Sequence, residues 1–482
     1  MAALVHENTA LSSADLQTFI VDGYLVLPPD PAVDHGAIFN ELNTLNLPSS
    51  PFAEGNLGNN VLPAVPELLR VADSPAVRGA LEAILGAGYL LLPHRTAHRS
   101  NEGPQAWHRD YFAGEPRPHS AAPYHAQLFY YPQAVPEALG PTEVLPRSQY
   151  YGNDDPDGAS EFSSARGLVD AWGLTPRKLV VEAGTVALVH YGLWHRGGAN
   201  ATLGTEDERP RYLVRLEFSR LAPPAPALRV AGAWPADDRG LRPLWRFVWD
   251  WLVRDPDKAE VDEVPSHAKA PEGEPARIKA AADYAAWGRN HANGVVEAAF
   301  YEWLAETRAS RRQWAQAVEW AGAAVLPHLL ARRDRLSESP ALVVALGRIC
   351  HGGGGSPRDR ALAALTLRPL AESRSVDVAV CAAEALGCLR GVPEAADALL
   401  RAVERRPSDD ARVAALHGLL RHLPALSTAH RRRFRAACVA CAGDGSHRYV
   451  AAFGCEGLHR LRFPFDATPP LLRWDPFGGR GW

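Results

Sequence analysis

A change of periodicity near residue 222 constrains the fold of this chain more than any other feature of its sequence. Before it, short apolar runs alternate with the two-residue period of β-strands, and Gly or Pro residues end them. The clearest strand candidates are Tyr24–Leu27, Ala126–Tyr131, Gly184–Val189 and Tyr212–Phe218. After it, strand patterns disappear and Ala-, Leu- and Arg-rich helical patterns replace them. We therefore predict a multidomain β + α protein.

The same change sets the predicted domain boundaries. Residues 1–222 are assigned to a double-stranded β-helix of the jelly-roll or cupin-like type, because strands joined by long irregular loops suit such a barrel. Residues 223–275 are rich in Pro and charged side chains and are interpreted as a connector. An all-α domain is predicted over residues 276–462, and a C-terminal tail over residues 463–482.

The helical part contains four similar segments. They include Val344, Val380, Val413 and Val450, which are spaced by 36, 33 and 37 residues. Polar N-cap residues precede two of these segments. Such a period resembles HEAT-type helical pairs, which stack because one pair cannot bury its apolar face alone. We expect HEAT-like repeats, with a protein partner as one ligand that such a surface could bind.

Composition narrows the functional classes. A net charge of −4 without a long basic run argues against nucleic acid as the main partner. No stretch reaches the roughly 20 apolar residues that span a bilayer, and the N-terminus lacks the pattern of a signal peptide. All six cysteines lie in the last third of the chain, at spacings unlike a disulfide framework. A reduced, cytoplasmic setting is expected.

The residues with the clearest chemistry are His108, Asp110 and His195. A His and an Asp two positions apart on a strand point to the same face, so that one metal ion can reach both. A His-x-Asp pair alone is common, but His195 directly follows an apolar strand and supplies a second imidazole. Two His and one carboxylate leave coordination positions open, as in non-haem Fe(II) oxygenases. In the strand after His195, an Arg could hold a dicarboxylate by a two-point contact.

Several motifs in this order resemble the phytanoyl-CoA dioxygenase family of Fe(II)- and 2-oxoglutarate-dependent enzymes. They are Phe19–Leu27, Gln105–Asp110, Ala126–Phe129, Leu139–Ser148 and Trp194–Asn200. The resemblance covers roughly residues 12–222, which is under half of the chain. It departs from the family pattern at Pro146–Gln149, where the family usually has Pro-Gly-Ser-His, and at Thr202–Arg209, which looks like an insertion.

The resemblance implies two cofactors, Fe(II) and 2-oxoglutarate. By matching position, the iron ligands would be His108, Asp110 and His195. Arg211 would hold the distal carboxylate of 2-oxoglutarate, and Arg215, four residues further along the strand, is the second choice.

A second group of residues is assigned to the surroundings of the site. Gln127 and Phe129 share a strand face by alternation, and they would line the co-substrate pocket if that face looks inward. Substrate contacts are expected from Tyr131, His98 and His125. Each of these side chains could equally serve the core or the surface of an ordinary barrel.

The expected activity is oxidation of a small organic substrate with O₂, with release of succinate and CO₂. Halogenating relatives replace the iron carboxylate with a small residue, so Asp110 favours hydroxylation. A specialised-metabolite intermediate is the favoured substrate class. Two alternatives stay open: the same cofactors with desaturation, epimerisation or cyclisation, and a non-catalytic helical-repeat scaffold with a degenerate barrel.

Overall fold

The computed structural model describes most of two separate regions of the chain. These are residues 11–45, 47, 60–86, 88–100, 103–110, 122–150 and 173–221, and residues 326–331, 333–338, 340–351, 355–444 and 447–462, with Trp245, Val248, Trp249 and Leu252. Contacts assign the first set to one compact unit and the second set, with the four single residues, to another. Almost all of the predicted connector, the start of the predicted helical domain and the C-terminal tail lie outside the described residues.

Four helices and a short strand open the first unit. The helices are α1 (Ser13–Asp22), α2 (His35–Thr44), α3 (Leu68–Ala72) and α4 (Pro75–Leu85), and β1 (Tyr24–Leu27) follows α1. Ser12 and Asp15 form a capping box that satisfies the free N–H groups at the start of α1. Gly23 ends this helix at φ 81°, a left-handed conformation that glycine adopts without a Cβ penalty. The chain can therefore turn sharply from α1 into β1.

Two antiparallel sheets follow. The strands are β2 (Leu90–Arg99), β3 (His125–Tyr130), β4 (Thr142–Val144), β5 (Arg177–Lys178), β6 (Val186–His190), β7 (His195–Gly197) and β8 (Tyr212–Ser219). The larger sheet has the order β1-β6-β3-β8-β2 and the smaller one the order β5-β4-β7. All four strand candidates named from the sequence fall on strands of the larger sheet. The predicted β-rich character of this region is confirmed.

The apolar core of this unit contains side chains from both sheets. Phe129 of β3 and Ala187 of β6 belong to one buried cluster with Val144 of β4. In the larger sheet, Phe129 pairs with Ala187 on one side and with Arg215 on the other. This register places Arg215 on β8, an inner strand of the larger sheet that has β3 on one side and β2 on the other. The same strand follows Arg211, so both candidate arginines are fixed by β8.

The second unit is helical wherever the structure describes it as regular. Its helices are α5 (Leu326–Ala331), α6 (Pro340–His351), α7 (Pro357–Ala371), α8 (Val376–Cys388), α9 (Pro393–Arg405), α10 (Asp409–His422), α11 (Thr428–Ala442) and α12 (Arg448–Arg462). Short 3₁₀ turns lie at Arg333–Glu338 and Leu423–Ala425. Among the described helices, none is both long and apolar enough to cross a bilayer.

Alternate helices of this unit pack on one another. α6 contacts α8, α8 contacts α10 and α10 contacts α12, while α7 contacts α9 and α9 contacts α11. The valines that mark the repeat are all buried, and they lie in the first of these rows: Val344, Val380, Val413 and Val450. Small residues allow close approach, since a Cβ added to Gly387 would lie 2.9 Å from the Cα of Gly418. The all-α region is confirmed, and its assignment to the HEAT class stays a prediction.

Candidate metal centre

Two nearly identical sequence motifs pair at the centre of the site. His108 and His195 form an antiparallel bridge, with their backbone N–H groups donating to each other's carbonyls at 3.0 and 2.9 Å. Both histidines lie within the tripeptide Trp-His-Arg, at residues 107–109 and 194–196. The antiparallel pairing therefore sets the Trp of each motif opposite the Arg of the other. The segment before Asp110 forms this single bridge and not the strand that we predicted.

Cation–π contacts fasten the two motifs on both sides of the histidines. The Arg196 guanidinium lies 4.9 Å from the Trp107 ring, and the Arg109 guanidinium lies 5.0 Å from the Trp194 ring. Contacts of this kind contribute about 0.5–2 kcal/mol each. They stabilise the bridge between His108 and His195, which is an isolated residue pair and not part of a longer pair of strands.

Each imidazole is oriented by its own backbone. His108 Nδ1 lies 2.9 Å from the Ala106 carbonyl, and His195 Nδ1 lies 3.0 Å from the Leu193 carbonyl. A carbonyl oxygen can only accept, so the proton of each ring is on Nδ1 and the lone pair of a neutral ring is on Nε2. Both Nε2 atoms are thereby prepared as metal ligands.

The arrangement of Asp110 requires a cation. One ligand atom from each of His108, Asp110 and His195 lies within 4.8 Å of the other two. Asp110 Oδ2 is buried without a hydrogen-bond donor at normal geometry, and it lies 3.2 Å from His195 Nε2. Two lone pairs at this separation repel unless a proton or a metal ion lies between them. A donor set of two imidazoles and one carboxylate fits a divalent first-row metal such as Fe(II).

Electrostatics keep two of the three groups, His108 and Asp110, ready to bind a metal ion at neutral pH. Burial, followed by the charge of neighbouring His195, lowers the pKa of His108 to about 4. Burial would raise the pKa of Asp110, but the charge of Arg215 and the contact with His195 hold it well below 3.8. His108 is therefore neutral and Asp110 ionised at pH 7, which are the protonation states that metal ligation needs.

A cleft opens beside His108 and His195. Its described lining includes His98, Ser100, Gln105, Phe129, Thr142, Arg211 and Arg215, with His108 and His195 at one side. Three arginines and three histidines line it, and no described lining residue is acidic. The cleft therefore favours an anion next to the metal position.

Arg211 is the charge in this cleft that lacks a counter-ion. It is 5% exposed, its Nε is buried without an acceptor, and its guanidinium forms no ion pair within the described residues. Burial lowers its pKa, opposed only by nearby Tyr131. A buried guanidinium without a partner is energetically costly, and an anionic ligand would supply that partner. Thr142 also lines the cleft, and it pairs with Gly197, where an added Cβ would lie 3.4 Å from Arg211 Nη2.

Arg215 has a different environment. One of its terminal nitrogens donates to Asp110 Oδ1, and the other contacts His94 Nε2 and lies 3.4 Å from Glu217 Oε1. The Asp110 carboxylate thus neutralises Arg215, and burial raises the pKa of neighbouring Glu217 to about 8. Arg211 has no carboxylate partner among the described residues. Of the two candidates for a co-substrate arginine, the structure leaves only Arg211 unpaired.

The remaining predicted site residues divide into two groups. His98 and Phe129 line the cleft, and the Phe129 ring lies 5.1 Å from that of His195. Gln127, Tyr131 and His125 do not line it, although Gln127 and Tyr131 are almost fully buried. Both amide atoms of Gln127 lack a hydrogen-bond partner within the described residues.

Sequence reasoning missed four residues around the ligands. Thr142 and Ser100 line the cleft, and His94 and Glu217 contact Arg215. A signal existed for Glu217, because it follows Arg215 by two positions on a strand and so shares its face. Ser100 and His94 become neighbours of the site only through the pairing of β2 with β8, and no local pattern in the sequence marks this pairing.

A family model covers the metal centre. Residues 58–206 match the model described as Phytanoyl-CoA dioxygenase (PhyH). The match includes all three candidate ligands and ends before Arg211. It spans about a third of the chain. A search of curated proteins found no significant match.

Solved structures similar to part of the chain include two described as non-heme, alpha ketoglutarate-dependent enzymes and a third, EctD, solved with 2-oxoglutarate. The epimerase SnoN, in complex with Fe³⁺, alpha ketoglutarate and nogalamycin RO, is 21% identical over 46% of this chain and 92% of its own, with a TM-score of 0.35. EctD from S. alaskensis, with 2-oxoglutarate and 5-hydroxyectoine, is 16% identical over 46% and 82%, with a TM-score of 0.35. The alpha ketoglutarate-dependent carbocyclase SnoK, from nogalamycin biosynthesis, is 16% identical over 44% and 85%, with a TM-score of 0.35. Likeness at this level is too distant to carry an activity to this chain.

Proposed function

We propose that the first unit is an Fe(II)- and 2-oxoglutarate-dependent oxygenase that oxidises a small organic molecule. The observation that carries the proposal is the combination of the His108, Asp110 and His195 ligand set with a buried, unpaired Arg211 in the same cleft. A metal centre alone would suit many reactions. A metal centre beside an uncompensated cation suits a co-substrate that is both a metal chelator and an anion.

The three ligands would hold Fe(II) on one face and leave the opposite positions open. Arg211, with the Thr142 hydroxyl beside it, would bind the distal carboxylate of 2-oxoglutarate. Charge-assisted hydrogen bonds of this kind contribute about 1.5–3 kcal/mol. Arg215 is the weaker candidate for this role because the Asp110 carboxylate already neutralises it.

Bound iron, 2-oxoglutarate and O₂ would together supply the oxidising chemistry, with succinate and CO₂ as by-products. The protein's part is orientation and exclusion of water. The backbone carbonyls of Ala106 and Leu193 fix the two imidazoles, and Phe129 packs against His195 at the wall of the cleft. His98, with a pKa lowered to about 3 by burial and by Arg215, would present a neutral ring to the substrate.

We assign hydroxylation as the outcome, because the metal carboxylate Asp110 is present where chlorination would need an open position. Desaturation, epimerisation or cyclisation with the same cofactors is the alternative, since the outcome depends on substrate pose within about an ångström. A specialised-metabolite intermediate is the proposed substrate class. Gln127, Tyr131 and His125 keep the roles predicted for them only if the bound substrate or co-substrate extends beyond the described cleft.

Three wider assignments accompany this proposal. We propose domain boundaries at residues 222, 275 and 462, and HEAT-like stacking of the helices as a surface for a protein partner. A reducing, cytoplasmic compartment is supported by six cysteines, none of which forms a disulfide and five of which are buried.

The test is an anaerobic titration of Fe(II) and 2-oxoglutarate, followed by the weak visible charge-transfer band of the chelated metal. We expect the band in the full-length protein, its loss in His108→Ala and its weakening in Arg211→Ala. Arg209→Ala is the matched control, because Arg209 is exposed and lies two residues from Arg211. A folded, metal-loaded protein without the band would reject the proposal and favour the scaffold alternative.

A further inference from the structure

The two oxygens of the Asp110 carboxylate have different partners, because Arg215 binds only one of them. Oδ1 accepts a hydrogen bond from Arg215 Nη1. Oδ2 faces His195 Nε2 at 3.2 Å, on the side where the three ligand atoms converge. A free carboxylate could rotate and exchange its oxygens, whereas this one is held with one particular oxygen toward the metal position.

The second terminal nitrogen of Arg215, Nη2, also has partners. Its Nη2 contacts His94 Nε2, and because arginine can only donate, that nitrogen of His94 must accept. The same Nη2 lies 3.4 Å from Glu217 Oε1, while the Tyr191 hydroxyl donates to Glu217 Oε2 at 3.4 Å. These groups come from three separate segments of the first unit.

Backbone pairing supports this anchoring. Arg215 is a central residue of β8, paired with Thr96 of β2 on one side and Phe129 of β3 on the other. The side chain is 12% exposed and that of Glu217 is 1% exposed. Neither residue has room to sample many rotamers, so the position of the guanidinium is fixed by the sheet.

We propose that Arg215 is a positioning residue for the metal centre, which holds Asp110 as a one-oxygen ligand and is itself held by Glu217 and His94. This inference rests on the proposed metal site, but not on the identity of the co-substrate. It departs from the sequence prediction, in which Arg215 was the second choice for binding 2-oxoglutarate.

Geometry and charge predict opposite effects of removing Arg215. A positive charge near a divalent cation is repulsive, so a purely electrostatic Arg215 would weaken metal binding and its loss would tighten it. A positioning Arg215 would strengthen metal binding by ordering Asp110, and outer partners of metal ligands typically change affinity or activity by about 10–100-fold. The sign of the effect therefore separates the two roles.

The first experiment measures Fe(II) affinity of the full chain by anaerobic competition with a chelator, for Arg215→Lys and Arg215→Met. Lysine keeps the charge but cannot reach Asp110, His94 and Glu217 with one planar fork. We expect both variants to bind Fe(II) about 10–100-fold more weakly. Unchanged affinity in both variants, or tighter binding in Arg215→Met, would overturn the proposal.

Arg220→Lys is the matched control for a buried arginine in the same unit. Arg220 is fully buried and donates to the backbone carbonyls of Pro123 and Ile84, not to a metal ligand. We expect it to lower the melting temperature without changing Fe(II) affinity. Melting curves of every variant, taken without metal, identify any that fail to fold.

A double-mutant cycle shows whether Arg215 acts through Asp110. Cu(II) is the probe, because it binds nitrogen sites more tightly than Fe(II) and should still bind His108 and His195 in Asp110→Ala. We expect Arg215→Lys to weaken Cu(II) binding in the wild type and to have no further effect in Asp110→Ala. Equal losses in both backgrounds would show that Arg215 acts on the fold and not on this ligand. A protein that binds metal normally but not 2-oxoglutarate would reject the proposed function and leave this result intact.

Discussion

Each unit contains a buried arginine, and the two differ in their acidic partners. They are Arg211 in the sheet-containing unit and Arg412 in the helical unit. Arg412 is 2% exposed and pairs with Asp409 at 3.0 Å and Asp444 at 2.8 Å. Arg211 is 5% exposed and pairs with no described acid. Burial lowers the pKa of both groups, but the hydrogen bonds to the two acids reverse this effect at Arg412, whose pKa is raised.

The contrast separates a structural role for Arg412 from a ligand-binding role for Arg211. Where the chain supplies its own counter-ions, as around Arg412, the charge belongs to the folded structure. Around Arg211 the described residues supply no counter-ion, so an anionic ligand in the cleft would be its charge partner. Three comparisons between the units and one pH effect within the helical unit can break or sharpen this distinction.

The largest effect is expected for a pair of buried histidines. His195→Ala should weaken Fe(II) binding by more than about 100-fold, above the range typical for outer partners of a metal ligand. His417→Ala, in α10, removes a buried ring that packs on Phe453 and should lower the free energy of unfolding by about 1–3 kcal/mol without affecting metal binding. Metal titrations and urea unfolding of both variants provide the check. Equal Fe(II) affinities would refute the assignment of His195.

The arginines themselves give the next effect. Arg211→Met should weaken 2-oxoglutarate binding by about 10–150-fold, which is 1.5–3 kcal/mol at 1.4 kcal/mol per tenfold change. It should not destabilise the protein, because it removes a buried charge without a partner. Arg412→Met should do the reverse, lowering unfolding free energy by about 2 kcal/mol with normal co-substrate binding, since Asp444 is left buried and Asp409 is half exposed. Calorimetric titration and thermal melts distinguish the two patterns.

A pH effect of up to about 3 kcal/mol is expected from His422 in the helical unit. Burial lowers its pKa from 6.5 to about 4, while its Nε2 lies 2.9 Å from the Leu386 carbonyl. The unfolded state then binds more protons than the folded state between these values, so stability is full above pH 6.5 and is lost as pH falls toward 4. His422→Gln keeps a donor for the carbonyl and should flatten this slope in urea unfolding at pH 4.5–7. An unchanged slope would assign the pH dependence to other groups.

The last comparison concerns glycines in tight backbone contacts. Gly140 has φ 65°, and a Cβ there would meet the carbonyls of Gly198 and Ala199, just beyond β7. Gly140→Ala should cost about 2–3 kcal/mol and weaken Fe(II) binding, because it displaces the segment after His195. Gly387→Ala forces α8 away from α10 and should cost about 1–3 kcal/mol with metal binding intact. Gly204→Ala, with φ 73° and open space around it, isolates the backbone strain alone. Normal Fe(II) binding in Gly140→Ala would contradict the link between this turn and the metal centre.

Much of the site was accessible from local sequence. Alternation placed Tyr212–Phe218 on a strand, and the structure has β8 over Tyr212–Ser219. The ordered motifs selected His108, Asp110 and His195, whose ligand atoms converge in the structure. Local periodicity also predicted that strands give way to helices, since side-chain alternation and helical spacing are properties of neighbouring residues.

Other features were not accessible from a single segment. Gln127 and Phe129 share a strand face, yet only Phe129 reaches the described cleft. Arg211 and Arg215 are both arginines near one strand, and no local pattern states which of them is already paired. Asp110 decides that question, because its carboxylate pairs with Arg215, which also contacts His94 of β2 and Glu217 of β8.

The sequence by itself determined the alternation that makes strands, the helical spacing that follows it, and the residue types able to bind a metal ion. Only the tertiary structure decided which oxygen of Asp110 faces the metal position and which arginine lacks a counter-ion. The physical reason is distance along the chain. Propensity and periodicity act between near neighbours, whereas Asp110 meets Arg215 across 105 residues, through the register of a sheet that brings its strands together.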